Sequence, residues 1–95
     1  MSAAADLALE GELTIYAAAA QREALQAWVL DGSGVLDLSA ITDCDSAGVQ
    51  LLLATRASLA RDGRSLVLRE PAQPVREALA GYGMTPELQP QGEAA

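Results

Sequence analysis

Val35-Leu36-Asp37-Leu38-Ser39-Ala40-Ile41-Thr42-Asp43-Cys44-Asp45-Ser46-Ala47-Gly48-Val49-Gln50-Leu51-Leu52 runs from a short apolar strand, across a polar loop, into a helix. Val35 to Leu38 is the strand, interrupted by one carboxylate. Asp45 is a good helix N-cap, because its carboxylate can accept the unpaired N–H groups of the first turn. Ser46 then takes the first helical position, with its hydroxyl facing solvent at the positive end of the helix. Gly48 is a poor helix former, and its place in the first turn asks for a reason. Close approach of another backbone, this protein's or a partner's, is one. On spacing alone, the plain capping pair is the favoured reading of Asp45-Ser46, because Ser and Asp are enriched at helix starts everywhere.

Upstream, Leu7, Leu9, Leu13 and Ile15 alternate with other residues around Gly11, which predicts a strand pair, Leu7–Glu10 and Glu12–Tyr16. Ala17 to about Leu30 carries Ala24, Leu25, Trp28 and Val29 at helical spacing, and Asp31-Gly32-Ser33-Gly34 ends that helix. Downstream, the helix from Ser46 to about Arg61 is expected to bury Val49, Leu52, Leu53, Ala57 and Ala60. Ser65–Arg69 reads as a strand and Ala72–Ala80 as a short helix burying Val75, Ala78, Leu79 and Tyr82. Met84–Leu88 reads as a last edge strand. Strands alternating with helices predict an α/β domain with a partly parallel sheet. Ninety-five residues suffice for one domain, with a core over about 7–88 and flexible tails at 1–5 and 89–95.

Composition narrows the function. Thirteen acids face six arginines and no lysine, a net charge of −7 that repels phosphate backbones and anionic lipid heads. Nucleic-acid binding is not expected; a protein partner with a basic patch is. Met1–Asp6 does not read as a signal peptide, and no apolar run reaches the ~20 residues of a membrane span, so the expected address is cytoplasmic. Without histidine or lysine, the common general base, the Ser-His-Asp arrangement, the Schiff base and the Walker-type phosphate grip are all missing. Gly32-Ser33-Gly34 precedes a strand, whereas a phosphate cradle follows one. Cys44 has no basic neighbour in sequence to activate it. Asp37, Asp43 and Asp45 remain as a possible Mg²⁺ set, against which stands their ordinary use in solvation and capping.

The same residues carry a resemblance. Gly11-Glu12-Leu13, Asp37-Leu38-Ser39, Asp45-Ser46-Ala47-Gly48 followed by Leu51-Leu52-Leu53, and a helix flanked by Pro71 occur in this order. From about Leu9 to Leu88 the chain resembles the STAS domain family, named for sulfate transporters and anti-sigma factor antagonists. The resemblance implies a mixed four- or five-stranded sheet with helices mainly on one side. In the bacterial antagonists of that family, the serine after the aspartate is phosphorylated by a partner serine kinase that is also the anti-sigma factor. The matching residue is Ser46.

No cofactor and no metal are implied. The implied partner surface comprises Thr14, Asp37, Asp43, Asp45, Ser46, Ala47, Gly48 and Gln50. Thr14 departs from the pattern, since many kinase-regulated members have an acid there. In that respect the chain looks more like stand-alone members of chemotaxis gene clusters or of the Mla lipid-transport ABC complex, whose STAS subunit binds the ATPase. A non-enzymatic regulatory module switched at Ser46 is therefore the first expectation. A transporter subunit acting without phosphorylation is the second, and a chemotaxis regulator is a further possible partner.

Overall fold

The computed structural model describes residues 4–89. Most of the expected tails lie outside that range. Ala5, however, is held in place: its carbonyl accepts from Ser33 N at 2.9 Å and from Trp28 Nε1 at 2.8 Å. The chain forms β1 (Leu7–Leu13), α1 (Ala18–Val29), β2 (Val35–Cys44), α2 (Ser46–Arg61), β3 (Val67–Arg69) and α3 (Gln73–Gly81).

The sheet differs from the expectation. Among the described residues it has three strands in the order β1-β2-β3, and both pairings are parallel, so it is neither mixed nor four- or five-stranded. Two physical causes account for this. Gly11 takes φ +83° without turning the chain back, and β1 continues past it as one strand. The left-handed residue is absorbed as an irregularity, with register shifts against β2 between Ala8 and Glu10 and between Gly11 and Glu12. At the other end, Met84 makes only an isolated bridge. Leu88 then turns at φ +62° with its side chain buried, held by Leu88 N donating to Thr85 O at 2.9 Å, so residues 84–88 cannot run on as an edge strand.

β2 is longer than expected. It continues through Ser39–Cys44 because β1 pairs along its length, with Glu10 opposite Ala40, Gly11 opposite Ile41 and Leu13 opposite Cys44. Backbone pairing, not burial, keeps this polar stretch extended.

Leu9 and Leu13 of β1 and Leu36, Leu38 and Ile41 of β2 point into the core with Leu25 and Trp28 of α1. α2 adds Val49, Leu52 and Leu59, and α3 adds Val75 and Leu79. The buried stripe of α2 passes through Thr55, whose hydroxyl donates to Leu51 O at 2.7 Å; Ala57 and Ala60, expected inside, are exposed. Tyr82, also expected inside, is half exposed. α1 packs against α2, α2 against α3, and α3 against β2, so the helices share one face of the sheet. Ala8, Glu10 and Arg69 lie on the face left open. The result is an α/β layer in which the carboxyl ends of β1 and β2 meet the start of α2.

Candidate functional site

Asp45 ties that junction together. Its Oδ1 accepts from Ala47 N at 2.9 Å and Gly48 N at 3.3 Å, capping α2 as its sequence predicts. Its Oδ2 accepts from Ile15 N at 3.1 Å, and its own N–H donates to Leu13 O at 3.1 Å. One aspartate thus fixes the β1–α1 loop against the first turn of α2. The Ile15 N–H beside it, more than those of Gly48 and Ala47, holds its carboxyl below the ordinary carboxylate range.

Gly48 is buried, and its reason is the protein's own backbone. A Cβ there would meet Leu13 O at 2.1 Å, Leu13 Cβ at 2.8 Å and Cys44 Sγ at 2.9 Å. The absent side chain lets α2 start directly against the end of β1.

Ser46 sits at the first position of α2 and is exposed. None of the described hydrogen bonds engages its hydroxyl. Ala47 is half-buried beside it and Gln50 is exposed one turn on. Asp43 is exposed just before the cap, its Oδ1 accepting from Cys44 N at 2.9 Å. Cys44 is half-buried. Burial first, then the Asp45 and Asp43 carboxylates, push its thiol up to about 11, which leaves it a poor nucleophile.

Two members of the expected surface are placed elsewhere. Thr14 is buried, 3 % exposed, and its hydroxyl donates to Glu12 Oε1 at 2.9 Å, so it supports the loop from beneath. Asp37 lies seven residues before Cys44, the last residue of β2, roughly 23 Å away at the rise of a strand. There it serves the sheet: Oδ1 accepts from Ser39 N at 2.8 Å and Ser39 Oγ at 2.7 Å, and Oδ2 pairs with Arg69 Nε at 3.4 Å. Arg69 also reaches Asp6 at 2.9 Å. The Ser39 contacts and then Arg69 hold the Asp37 carboxyl low. The trio Asp37, Asp43 and Asp45 is therefore not one site, and among the described residues no cluster of three or more His, Cys, Asp or Glu is placed to hold a metal ion.

The structure adds residues that strand-like alternation had hidden. Ile15 and Tyr16 belong to the loop, not to a strand, and are 68 % and 92 % exposed next to Asp45. From them a groove runs between α1 and α2. Its near part is walled by Ile15, Ala18, Ala19, Ala47 and Gln50, and its far part, a hollow of about 270 Å³, by Leu25, Val29 and Leu30. Arg22, Leu51 and Ala54 line both parts. The run Ala17–Ala20 was the available signal, since small side chains on α1 leave room for a trough.

The α/β layer that carries this arrangement agrees with what comparison with known proteins finds. The family model described as "Mlab, STAS domain" matches residues 1–90. The chain belongs to this STAS domain family. Among solved structures it is similar to one titled "Structure of the Anti-Sigma Factor Antagonist SpoIIAA in its Unphosphorylated Form". The TM-score is 0.70 at 21 % identity, covering 98 % of this chain and 85 % of that one. That likeness is one of fold. Comparison with curated proteins returned no match.

Proposed function

We propose that the chain is a non-enzymatic regulatory module, similar to an anti-sigma factor antagonist, that docks a protein partner around the start of α2 and is switched by phosphorylation of Ser46 by a partner serine kinase. The observation that carries this reading is Ser46 itself: exposed at the helix start, its hydroxyl unengaged, in a frame already capped by Asp45. Because the cap belongs to Asp45, the serine is free for a role other than folding.

A phosphate would add about −1.5 to −2 charges there. The helix dipole favours it by roughly 0.3–1 kcal/mol, and repulsion from neighbouring exposed carboxylates is of comparable size and opposite sign. The fold is nearly indifferent to that sum. A partner face that covers a neutral hydroxyl is not, since a desolvated unpaired charge costs several kcal/mol. The switch then works by blocking docking, without reshaping the domain.

A second reading is favoured by the Mlab description of the family model and by the buried Thr14 where many kinase-regulated members carry an acid. In it the chain is the STAS subunit of a lipid-transport ABC complex, binding and supporting the ATPase through the same surface without phosphorylation. Phosphoprotein analysis of the chain from its native cells, with co-purification, separates the two. Phosphate on Ser46 and a co-purified serine kinase support the first. An ATPase subunit recovered with unmodified Ser46 supports the second. Partner recovery unaffected by Ser46→Asp refutes a charge switch.

A further inference from the structure

The groove between α1 and α2 carries a charge pattern unlike the rest of the chain. The chain has thirteen acids against six basic residues, yet among the described residues not one acid lines the groove. Its single charge is Arg22, which borders both parts of the groove and enters none of the described hydrogen bonds or ion pairs. Around it the walls are mostly apolar or small, broken by the uncharged Gln26, Gln50, Thr55 and Ser58, and Leu51 and Ala54 run through both parts. Large apolar side chains stand exposed at both ends: Ile15, followed by Tyr16, at one, and Leu30, 83 % exposed, at the other.

We infer that this groove seats an amphipathic helix of a partner protein, apolar residues inward and a carboxylate opposite Arg22. The twelve residues of α1 give a groove about 18 Å long at 1.5 Å per residue, the length of three to four helical turns. Helix-in-groove docking uses apolar anchors one turn apart, which the two hollows on either side of Arg22 would receive. A carboxylate pairs with the planar guanidinium in a two-pronged contact that a basic or neutral residue cannot make. A second copy of this chain fits poorly, because it would bring another net charge of −7 to the contact. A small amphiphile would fill the 270 Å³ hollow against Leu30 but leave Ile15 and Tyr16 at the other end uncovered.

This inference rests on the chain being a protein-docking module, and it locates the partner's helix along α1 and α2 rather than at Ser46 alone. It is tested with the whole chain and a displayed library of randomised 14-residue helical peptides, selected against Ala54→Arg as the counter-target. Both Arg22 and Ala54 are exposed helix positions, so their variants keep the fold. The expected winners carry apolar residues at i, i+3 or i+4 and i+7 with a central Asp or Glu, and perturb the amide resonances of α1 and α2. Arg22→Glu should weaken them at least about tenfold, and exchanging the peptide's acid for Lys should restore binding to Arg22→Glu.

Winners without an acid, winners indifferent to Arg22→Glu, or an empty selection would overturn the inference. So would self-association of the chain abolished by Ala54→Arg, or groove resonances that respond to sub-micellar dodecanoate and to no peptide. Ser46→Asp gives the separating control. If it abolishes partner recovery while no acidic helix binds the groove, the helix is refuted and the Ser46 docking reading stands; the opposite pair of results refutes only the switch.

Discussion

Replacing Gly48 by alanine tests the geometry that presents Ser46. The new Cβ would lie 2.1 Å from Leu13 O, far inside the 3.0 Å below which such contacts are essentially never found, and the obstacle is backbone. That carbonyl cannot swing aside freely, because it accepts from Asp45 N at 3.1 Å and ends a strand paired to β2. Overpacking of this kind costs about 1–3 kcal/mol, with a rigid neighbour at or above the upper end. Alanine in a helix regains about 1 kcal/mol over glycine. The net expectation is a loss of about 2 kcal/mol, a fall in melting temperature of roughly 8–16 °C for a domain of this size. Urea denaturation followed by the fluorescence of Trp28, buried and bonded to Ala5 O, reads it directly. Gly81→Ala is the matched control: it lies in a helix with nothing within 4 Å, and should range from neutral to about 1 kcal/mol stabilising. If Gly48→Ala behaves like Gly81→Ala, α2 does not start against β1 and the argument for the site's shape fails.

Further outcomes follow from the same contacts. The carboxyls of Asp6, Asp37 and Asp45 are held below their ordinary value, so they stabilise the fold above the unfolded value near 4, and that contribution disappears as pH falls through their lower folded values. Urea midpoints should therefore drop on acidification from about pH 5 downward, and less steeply in Asp45→Asn; a pH-independent midpoint would contradict the contacts. Cys44, with its thiol raised from 9.0 to about 11, should react with a disulfide reagent at pH 8 roughly 100-fold more slowly than in the urea-unfolded chain; equal rates would mean the thiol is not shielded. Arg64 donates to Val29 O at 2.7 Å and also to Gly32 O, joining the end of α1 to the approach to β3. Arg64→Ala should cost about 2 kcal/mol by thermal denaturation, and no change would show those bonds to be dispensable.

The helices were legible because their apolar residues recur at helical spacing and their ends carry strong signals, Asp45 before α2 and Gly32 and Gly34 after α1. The strands were less so, for reasons visible in particular residues. Alternation about Gly11 looks the same whether the glycine turns a hairpin or is absorbed within one strand, and only pairing with β2 decides. Ser39–Cys44 carries no apolar run, yet it is strand, because β1 supplies hydrogen-bond partners that no local window contains. Leu88 reads as an edge-strand residue and is in fact a buried side chain on a left-handed turn. Within the site, Asp45, Ser46 and Gly48 stand close in sequence and were found together. Asp37 was grouped with them by proximity along the chain, but an extended strand carries it away. Ile15, Tyr16 and Arg22 went unnoticed because a groove between two helices is a property of their packing, not of either sequence alone.

Affinity purification of the tagged chain from its native cells, in wild-type, Ser46→Ala and Ser46→Asp forms, bears most directly on Ser46 as a charge-sensitive docking point, with each form's melting temperature taken in parallel. Wild type and Ser46→Ala should recover the same protein partner, and Ser46→Asp should lose it while melting within a few degrees of wild type. Recovery of that partner by a folded Ser46→Asp chain would contradict the assignment.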